Sequence, residues 1–524
     1  MEKHFYRIGE IVLFIILTMR LVGIVWGGRY LTPLFEAQFL AGEAHQDTLQ
    51  HAAVSNMIMK WGVPSLGNIN VDGLVMQKYH YGSHFLLGII GKLLNIDAWQ
   101  SYHLIYPALV IPLFIGLFVL TVEKLHEVLL PTCSKLTLQL KSLIALFLAV
   151  VWIFPSQTMD ALAVWNSTFI SESQGTAITL SFLFVIIVLH LSKSAKKKTI
   201  RIACLLFIIL SAATITVTKI SVGVIWIAGF GFLWIVNIRS RNNLINFLSA
   251  LIGFLIVLPF VLNQGLSGTT DSAVIVPFHF WRNHVEPTSW SWFPLVHYCF
   301  SIIAYLLVDY HLKTGSLSKK VTKNLKILIV GIVIVVSIPG LLLPIVGGSA
   351  WYFSSVNWWL SLPILVVLLN DEIAKKIKKY VSVINVRILI SIIIAGLLTG
   401  CLNTAEGMYI FRKSIINFVS TKDINSAKIW KQLNSVNPVN KEDCAIRYEI
   451  MYPYGNINRT ERKRWVMSFL SAPAIIGMPV ANVGDIEEYL KKCRKQSIMV
   501  DDRKNDDMDR NTIPDDFCEI FVYR

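Results

Sequence analysis

Residues 202–236 read IACLLFIILSAATITVT, then Lys219, then ISVGVIWIAGFGFLWIV, so one lysine is the only charged side chain in this stretch. Each half approaches the roughly 20 apolar residues that a helix needs to cross the hydrocarbon core of a bilayer. Backbone groups in lipid must bond within their own segment, which makes such runs helices. The stretch therefore predicts two membrane-spanning helices that meet at Lys219. A cation in that position either snorkels at a tight turn or binds a lipid phosphate or substrate.

Similar apolar runs recur outward from this stretch along the first 400 residues. The chain has 524 residues, of which 54% are hydrophobic and 15% are charged, so a bilayer is expected to be its main solvent. We predict an all-α polytopic membrane protein with about 11–12 spans in a domain covering residues 1–402. The clearest runs begin near Ile11, Leu104, Leu143, Ile178, Ile202, Ile220, Leu244, Leu295, Ile327, Trp358 and Val386.

The orientation of these spans follows from the positive charges in their short connections. Retained cytoplasmic loops carry an excess of lysine and arginine. Basic residues fill the connections at 193–201, 239–241, 313–326 and 375–379. If the short segment Phe85–Leu94 is re-entrant or interfacial, all four connections and the N-terminus face the cytoplasm. The net charge of +15 is explained by these loops, so nucleic acid is not expected as a partner.

Four more polar segments fall on the opposite side of the predicted membrane: 27–82, 156–175, 263–293 and 403–524. The last segment contains strand-like runs at 445–450, 497–500 and 519–523 and helix-like runs at 459–470 and 485–494. It predicts a small extracytoplasmic C-terminal α/β domain. Cys444, Cys493 and Cys518 lie in this tail, where two of them could form a disulfide.

The first outer loop, residues 27–82, carries the most suggestive polar pattern. Glu43, Asp47 and His51 recur at intervals of four and would project from one stripe of a helix. That stripe is either a catalytic or ligand-binding face, or the solvated side of an amphipathic helix at the membrane surface. His80 and His84 follow where the chain re-enters apolar sequence.

The imidazoles and carboxylates of this loop are acceptable metal ligands, but the tight zinc spacings are absent. A divalent cation is one candidate cofactor, and no other is indicated. Elsewhere on the same side, Arg282 is placed to clamp a phosphate. Tyr352 belongs to a Gly-Gly-Ser-Ala-Trp-Tyr-Phe connection that either lines a cavity or forms a turn at the interface.

The first loop resembles that of the GT-C superfamily of membrane glycosyltransferases, which includes protein O-mannosyltransferases and aminoarabinose transferases. The resemblance rests on the acidic pair Glu43 and Asp47, on the Trp-Gly-Val-Pro sequence at 61–64, and on Tyr-His-Tyr-Gly-Ser-His at 79–84. In this sequence three residues separate the two acids, whereas better-known members have adjacent ones. The resemblance implies an inverting transferase that moves a sugar from a polyprenyl-phosphate donor to a cell-envelope acceptor.

On this resemblance Asp47 is expected to be the general base, with Glu43 as the second choice. Lys219 and Arg282 would hold the departing lipid phosphate. The remaining substrate-binding residues would be His45, His51, Tyr79, His80, His84 and Tyr352. The expected partners are the lipid-linked donor, membrane lipid and an envelope glycan, lipid or protein acceptor, in a bacterial plasma membrane. The alternatives are a transporter or flippase for lipid-linked glycans, or an envelope polysaccharide polymerase.

Overall fold

A computed structural model describes a large part of the chain. It covers residues 2–25, 51, 54–56, 58–59, 70–71, 74–75, 80–129, 138–152, 169, 171–194, 198–261, 292–313, 317–342, 351–369, 445–448, 480–482, 498–501 and 519–522. Structural statements below concern these residues.

Helices dominate the described chain. The elements in chain order are α1 Glu2–Val25, β1 Asn70–Val71, β2 Leu74–Val75, α2 Gly82–Leu93, α3 Ala98–Ile105, a π-helical turn Tyr106–Val110, α4 Ile111–Leu129, α5 Leu138–Trp152, α6 Glu172–Ser194, α7 Lys198–Thr218, α8 Ile220–Val236, α9 Arg241–Val261, α10 Trp292–Lys313, α11 Lys319–Leu342, α12 Trp351–Leu368, β3 Ala445–Tyr448, β4 Val480–Asn482, β5 Ile498–Asp501 and β6 Glu519–Val522.

The structure agrees with the prediction that the apolar runs are helices. Helices occupy ten of the eleven apolar runs, and the run near Val386 lies outside the described residues. Within the described part, five helices are long and apolar enough to cross a bilayer: Gln100–Leu129, Glu172–Ser192, Lys198–Thr218, Arg241–Val261 and Lys319–Ile338. Two shorter apolar helices are Ile220–Val236 and Tyr352–Leu368. The chain is therefore a helical protein of membrane type.

The chain divides into two compact units. Unit 1 contains residues 1–24 and 109–406, and unit 2 contains residues 25–108 and 407–524. The first outer loop thus belongs to the same unit as the C-terminal tail.

Unit 1 is a bundle in which small residues allow close helix contacts. Helix α7 packs against α6, α8 and α9, while α12 packs against α4, α10 and α11. A Cβ atom on Gly253 of α9 would lie 2.2 Å from the Ile209 carbonyl oxygen of α7. Only glycine permits that approach. Between α4, α6 and α12, the rings of Phe114, Phe182 and Trp359 pack edge to face or tilted.

Unit 2 contains the pair α2 and α3, which pack against each other. They are joined by Leu94–Asp97, where Asn95 adopts a left-handed conformation with φ of 57°. The Ile96 N–H donates to the Gly91 carbonyl at 2.8 Å, which satisfies one of the last carbonyls of α2. Helix α2 has 12 residues, in line with the prediction that Phe85–Leu94 is too short to span.

The described strands of unit 2 form two sheets. Strands β1 and β2 make a short antiparallel pair, and the other four make a parallel sheet in the order β4-β3-β5-β6. Three of these four strands overlap the strand-like runs of the sequence. The predicted helical segments at 459–470 and 485–494, and the three cysteines of the tail, lie outside the described residues.

Candidate functional site

Half of the predicted site residues fall within the described chain. These are His51, His80, His84, Lys219 and Tyr352. The other five lie outside the described residues: Glu43, His45, Asp47, Tyr79 and Arg282. Lys219 and Tyr352 belong to unit 1, whereas His51, His80 and His84 belong to unit 2.

Lys219 of unit 1 is the single residue between α7 and α8. Its backbone is extended, with φ of −158° and ψ of 113°, and it caps the N-terminus of α8. Its N–H donates to the Ile215 carbonyl, and its own carbonyl accepts the N–H of Gly223. The side chain is only 7% exposed. The chain therefore turns within one residue at this lysine, and the lysine is buried rather than exposed to solvent.

Gly223 explains why so short a turn is possible. A Cβ atom at this position would lie 2.8 Å from the Thr216 Cα and closer still to its hydroxyl. The glycine lets α8 fold back directly against the last turn of α7. The Thr216 hydroxyl donates to the Ala212 carbonyl at 2.7 Å, so its polar atom is satisfied within its own helix.

The side chain of Lys219 contacts Tyr352, which lies in the first turn of α12. The Lys219 ammonium nitrogen lies 3.8 Å from the centroid of the tyrosine ring, which is a cation–π contact. The structure thus brings together a lysine from the junction of two predicted spans and a tyrosine from a predicted connection between spans. The ring partly replaces the water that the ammonium group loses by burial.

Gln174 ties the same region together and was not predicted as a site residue. Its amide nitrogen lies 2.9 Å from the Tyr352 carbonyl, to which it donates, and 3.5 Å from the Ser355 hydroxyl. Its amide oxygen accepts a hydrogen bond from the Ser221 hydroxyl at 3.3 Å. The N-terminal turns of α6, α8 and α12 are therefore joined by one side chain. We call Gln174, Lys219, Ser221, Tyr352 and Ser355 the Lys219 cluster.

The electrostatics of the Lys219 cluster favour an anion. Each helix N-terminus carries a partial positive charge and unpaired backbone N–H groups. Three such termini and one ammonium group meet here, together with the C-terminus of α7, whose partial negative charge opposes part of theirs. One carboxylate, Glu172, also lies in the first turn of α6, is fully buried and opposes part of this charge. A phosphate is the type of group that binds at such helix ends.

An apolar cavity of about 390 Å³ lies among α4, α6, α8, α11 and α12. Three of its lining residues adjoin the Lys219 cluster along the chain: Ile178 is one turn beyond Gln174, Val222 follows Ser221, and Val356 follows Ser355. The cavity then continues along α8 to Leu233 and along α6 to Leu189. Among the described residues that line it, Ser181 is the only one with a hydroxyl group and none is charged, so these walls suit hydrocarbon.

A second polar group lies in unit 2, where His51 and His84 form a hydrogen bond. The Nδ1 atom of His51 lies 2.9 Å from the Nε2 atom of His84. Two nitrogen ligands of a tetrahedral zinc, each about 2.0–2.1 Å from the metal, would lie about 3.4 Å apart. The pair therefore fits a hydrogen bond better than a shared metal. No group of three or more metal-ligating side chains occurs in the described part of the chain.

Tyr102 of α3 completes this second group, and the sequence gave no reason to select it. Its ring stacks on that of His51, with centroids 5.2 Å apart, and its hydroxyl is hydrogen-bonded to Ser83. The Ser55 hydroxyl donates to the His84 carbonyl at 3.3 Å. Complete burial lowers the pKa of His84 from 6.5 to about 3, so its ring is neutral at physiological pH.

His80 lies two residues before α2 and is half-buried. The residues that the sequence missed, Gln174 and Tyr102, contact partners far away along the chain, so no local spacing could reveal them. The only available signal for Gln174 was an uncharged polar amide at the start of an apolar run.

Comparison with known proteins adds no family: no family model matches the chain, and neither a curated protein nor a solved structure matches it.

Proposed function

We propose that this chain is an inverting membrane glycosyltransferase of the GT-C type. It transfers a sugar from a polyprenyl-phosphate donor to a cell-envelope acceptor. The single observation that carries the proposal is the Lys219 cluster, in which a buried ammonium group and three helix N-termini converge. This arrangement suits the phosphate of a lipid carrier.

The apolar cavity beside the cluster supports a lipid carrier. It follows α8 from Val222 to Leu233, which is 11 residues or about 16 Å. Its apolar walls suit the hydrocarbon chain of a carrier whose phosphate lies at the Lys219 cluster.

The proposed reaction is a single displacement at the anomeric carbon. Asp47, or failing that Glu43, takes the proton of an acceptor hydroxyl as its oxygen attacks. The bond from the anomeric carbon to the phosphate oxygen breaks, and the phosphate keeps the electron pair. Lys219 stabilises the charge that develops on this phosphate. Arg282 serves as a second phosphate contact.

The other sequence-derived residues receive binding roles in this proposal. His51 and the neutral His84 orient the acceptor or the base, and Tyr352 holds Lys219 in place. His45, Tyr79 and His80 contact the sugar or acceptor. A divalent cation, if required, is held in the first outer loop.

The proposed arrangement places the chemistry on the extracytoplasmic face of a bacterial plasma membrane. Its support is the distribution of lysine and arginine, which puts the N-terminus in the cytoplasm. We also propose that residues 403–524 form a small extracytoplasmic α/β domain, because their sequence carries strand-like and helix-like runs. We assign that domain to acceptor recognition.

The proposal is tested with membranes that contain the full chain and a radiolabelled polyprenyl-phosphate sugar pool. Wild-type protein should transfer label to envelope material. The Asp47→Asn variant should insert at the wild-type level but lose transfer, because an amide cannot accept the proton. A Glu43→Gln variant is the matched change at the second candidate base, since it also replaces a carboxylate by an amide.

Transfer that survives in both variants would show that the first outer loop does not supply the base. In that case a transporter or flippase for lipid-linked glycans, which moves the carrier without breaking the glycosidic bond, becomes the function to test.

A further inference from the structure

Helix α2 has one face that the protein buries and one that it leaves uncovered. The buried face contains Ser83, His84, Leu87, Gly88 and Gly91. Phe85, Ile89 and Leu93 recur every four residues on the other side and are 45%, 37% and 80% exposed. Leu94, which follows the helix, is 60% exposed. We call these four residues the α2 apolar face.

The buried face holds α2 firmly to the rest of unit 2. A Cβ atom on Gly88 would lie 2.8 Å from the Met59 side chain, and one on Gly91 would lie 3.0 Å from Ser101 of α3. The His51–His84 hydrogen bond fastens the beginning of the helix. The α2 apolar face is therefore held in a fixed position, and among the described residues its large apolar side chains remain exposed.

The position of α2 along the chain identifies what covers this face. A connection of four residues, Leu94–Asp97, links α2 to α3, and the candidate membrane span Gln100–Leu129 begins within α3. Because α2 packs against α3, it lies at the end of that span, where hydrocarbon meets headgroups. Acyl chains are the apolar material available at that depth.

The length and ends of α2 decide how it lies. Its 12 residues extend about 18 Å, well short of the roughly 30 Å hydrocarbon core. The connection beyond it exposes Asn95 and the Asp97 carboxylate, which are costly to place in hydrocarbon. Lys92 is also exposed and can reach lipid phosphates while its stem covers apolar surface. At the other end, the polar side chains of His80 and Tyr81 precede the helix and are partly exposed, so both ends of α2 belong near the headgroups.

We infer that α2 is a monotopic helix that lies along the membrane interface and inserts Phe85, Ile89, Leu93 and Leu94 among the acyl chains of one leaflet. The partner of this surface is the lipid bilayer itself. The inference does not depend on glycosyl transfer. In this position α2 is anchored at the interface, and it holds the His51–His84 pair at the depth of the lipid headgroups.

The test uses the full chain in liposomes whose phospholipids carry a radiolabel in the acyl chain. A photoreactive benzoylphenylalanine replaces one residue at a time at Phe85, Ile89, Leu93 and Asp97. The matched control site is Asp97, which is equally exposed but polar and lies on the connection. After irradiation, the labelled lipid bound to the protein is counted for each site.

Lipid adducts of similar yield at Phe85, Ile89 and Leu93, several-fold above the Asp97 site, are the expected result. Three other results would overturn the inference. A yield that rises along the helix to a maximum at Asp97 would mean that α2 dips into the membrane. Cross-linked dimers of the chain would mean that a second copy covers the face, and no adduct of either kind would mean that water covers it.

Discussion

Lys219 shows how a single side chain can be found from sequence and yet be understood only in three dimensions. A lysine among apolar residues stands out because burying an uncompensated charge in a membrane is unfavourable. Part of its compensation comes from the Tyr352 ring, 133 positions away, a proximity that no spacing in the sequence predicts. Gln174 and Tyr102 were not predicted for the same reason, because their partners lie far away along the chain. Glutamine and tyrosine are also common at membrane interfaces, so neither residue stands out in the sequence.

Replacing Lys219 tests its assignment to the lipid phosphate. We expect Lys219→Gln to reduce transfer at low donor concentration by about 10- to 100-fold, because a hydrogen bond to a charged group contributes about 1.5–3 kcal/mol. Saturating donor should restore part of the rate. The control Lys198→Gln removes an exposed lysine at the other end of α7 and should leave transfer unchanged. Equal effects of the two variants would contradict the assignment.

His84 predicts an acid-sensitive contact between α2 and the rest of unit 2. Its pKa is lowered from 6.5 to about 3 in the folded protein, so between these values the unfolded segment binds the proton more readily. Stability is therefore full above about pH 6.5 and falls as the pH falls. His51 and Tyr102 are the titratable side chains in contact with its ring.

Hydrogen exchange of α2 amides, corrected for the intrinsic effect of pH on exchange, measures this contact. Between pH 7 and pH 5 the free energy of local opening should fall by about 2 kcal/mol. A His84→Asn variant should lose the pH dependence, whereas His80→Asn, at a half-buried position outside α2, should keep it. A wild-type opening energy that does not change with pH would contradict the prediction.

At the scale of elements, the sequence predicted helices well because lipid leaves the backbone no other regular choice. Ten apolar runs became helices, and the short segment at α2 was recognised by its length. The cavity could not be predicted, since it depends on how five helices pack. Its position is set partly by glycines such as Gly223, which bring helices together, and Gly229, which leaves space.

Gly229 allows the cavity to be filled without distorting its walls. It lines the cavity, and a Cβ atom at this position meets no atom within 4 Å. We expect Gly229→Leu to raise the donor concentration needed for half-maximal transfer by about tenfold, because the leucine side chain occupies space that the polyprenyl chain of the donor would fill. Gly116→Leu is the matched control, since Gly116 has equally open surroundings but does not line the cavity. If the Gly229→Leu variant is folded and its donor dependence is unchanged, the polyprenyl chain binds elsewhere.

At the scale of the whole molecule, composition alone identified a membrane protein, because few charges and abundant apolar residues leave no other solvent. The direction of the helices is also consistent with one basic face. If consecutive helices of unit 1 alternate in direction, the Lys219 cluster lies on one side of the bundle. The helix ends on the opposite side then carry five basic residues: Lys198, Arg239, Arg241, Lys313 and Lys319. The proposed phosphate recognition required more than composition, since it rests on the convergence of helix ends.

The measurement that tests the central claim most directly is photolabelling of the reconstituted full chain with a polyprenyl phosphate whose first isoprene units carry a diazirine. The labelled residues are mapped by mass spectrometry. The Lys219 site and its cavity predict adducts on Trp226, Phe230 and Trp359, which line the cavity, and loss of these adducts in Lys219→Gln. Adducts confined to the exposed side chains of Leu206, Leu210 and Ile256 would mean that the lipid contacts only the outer surface of the bundle, and would contradict the account.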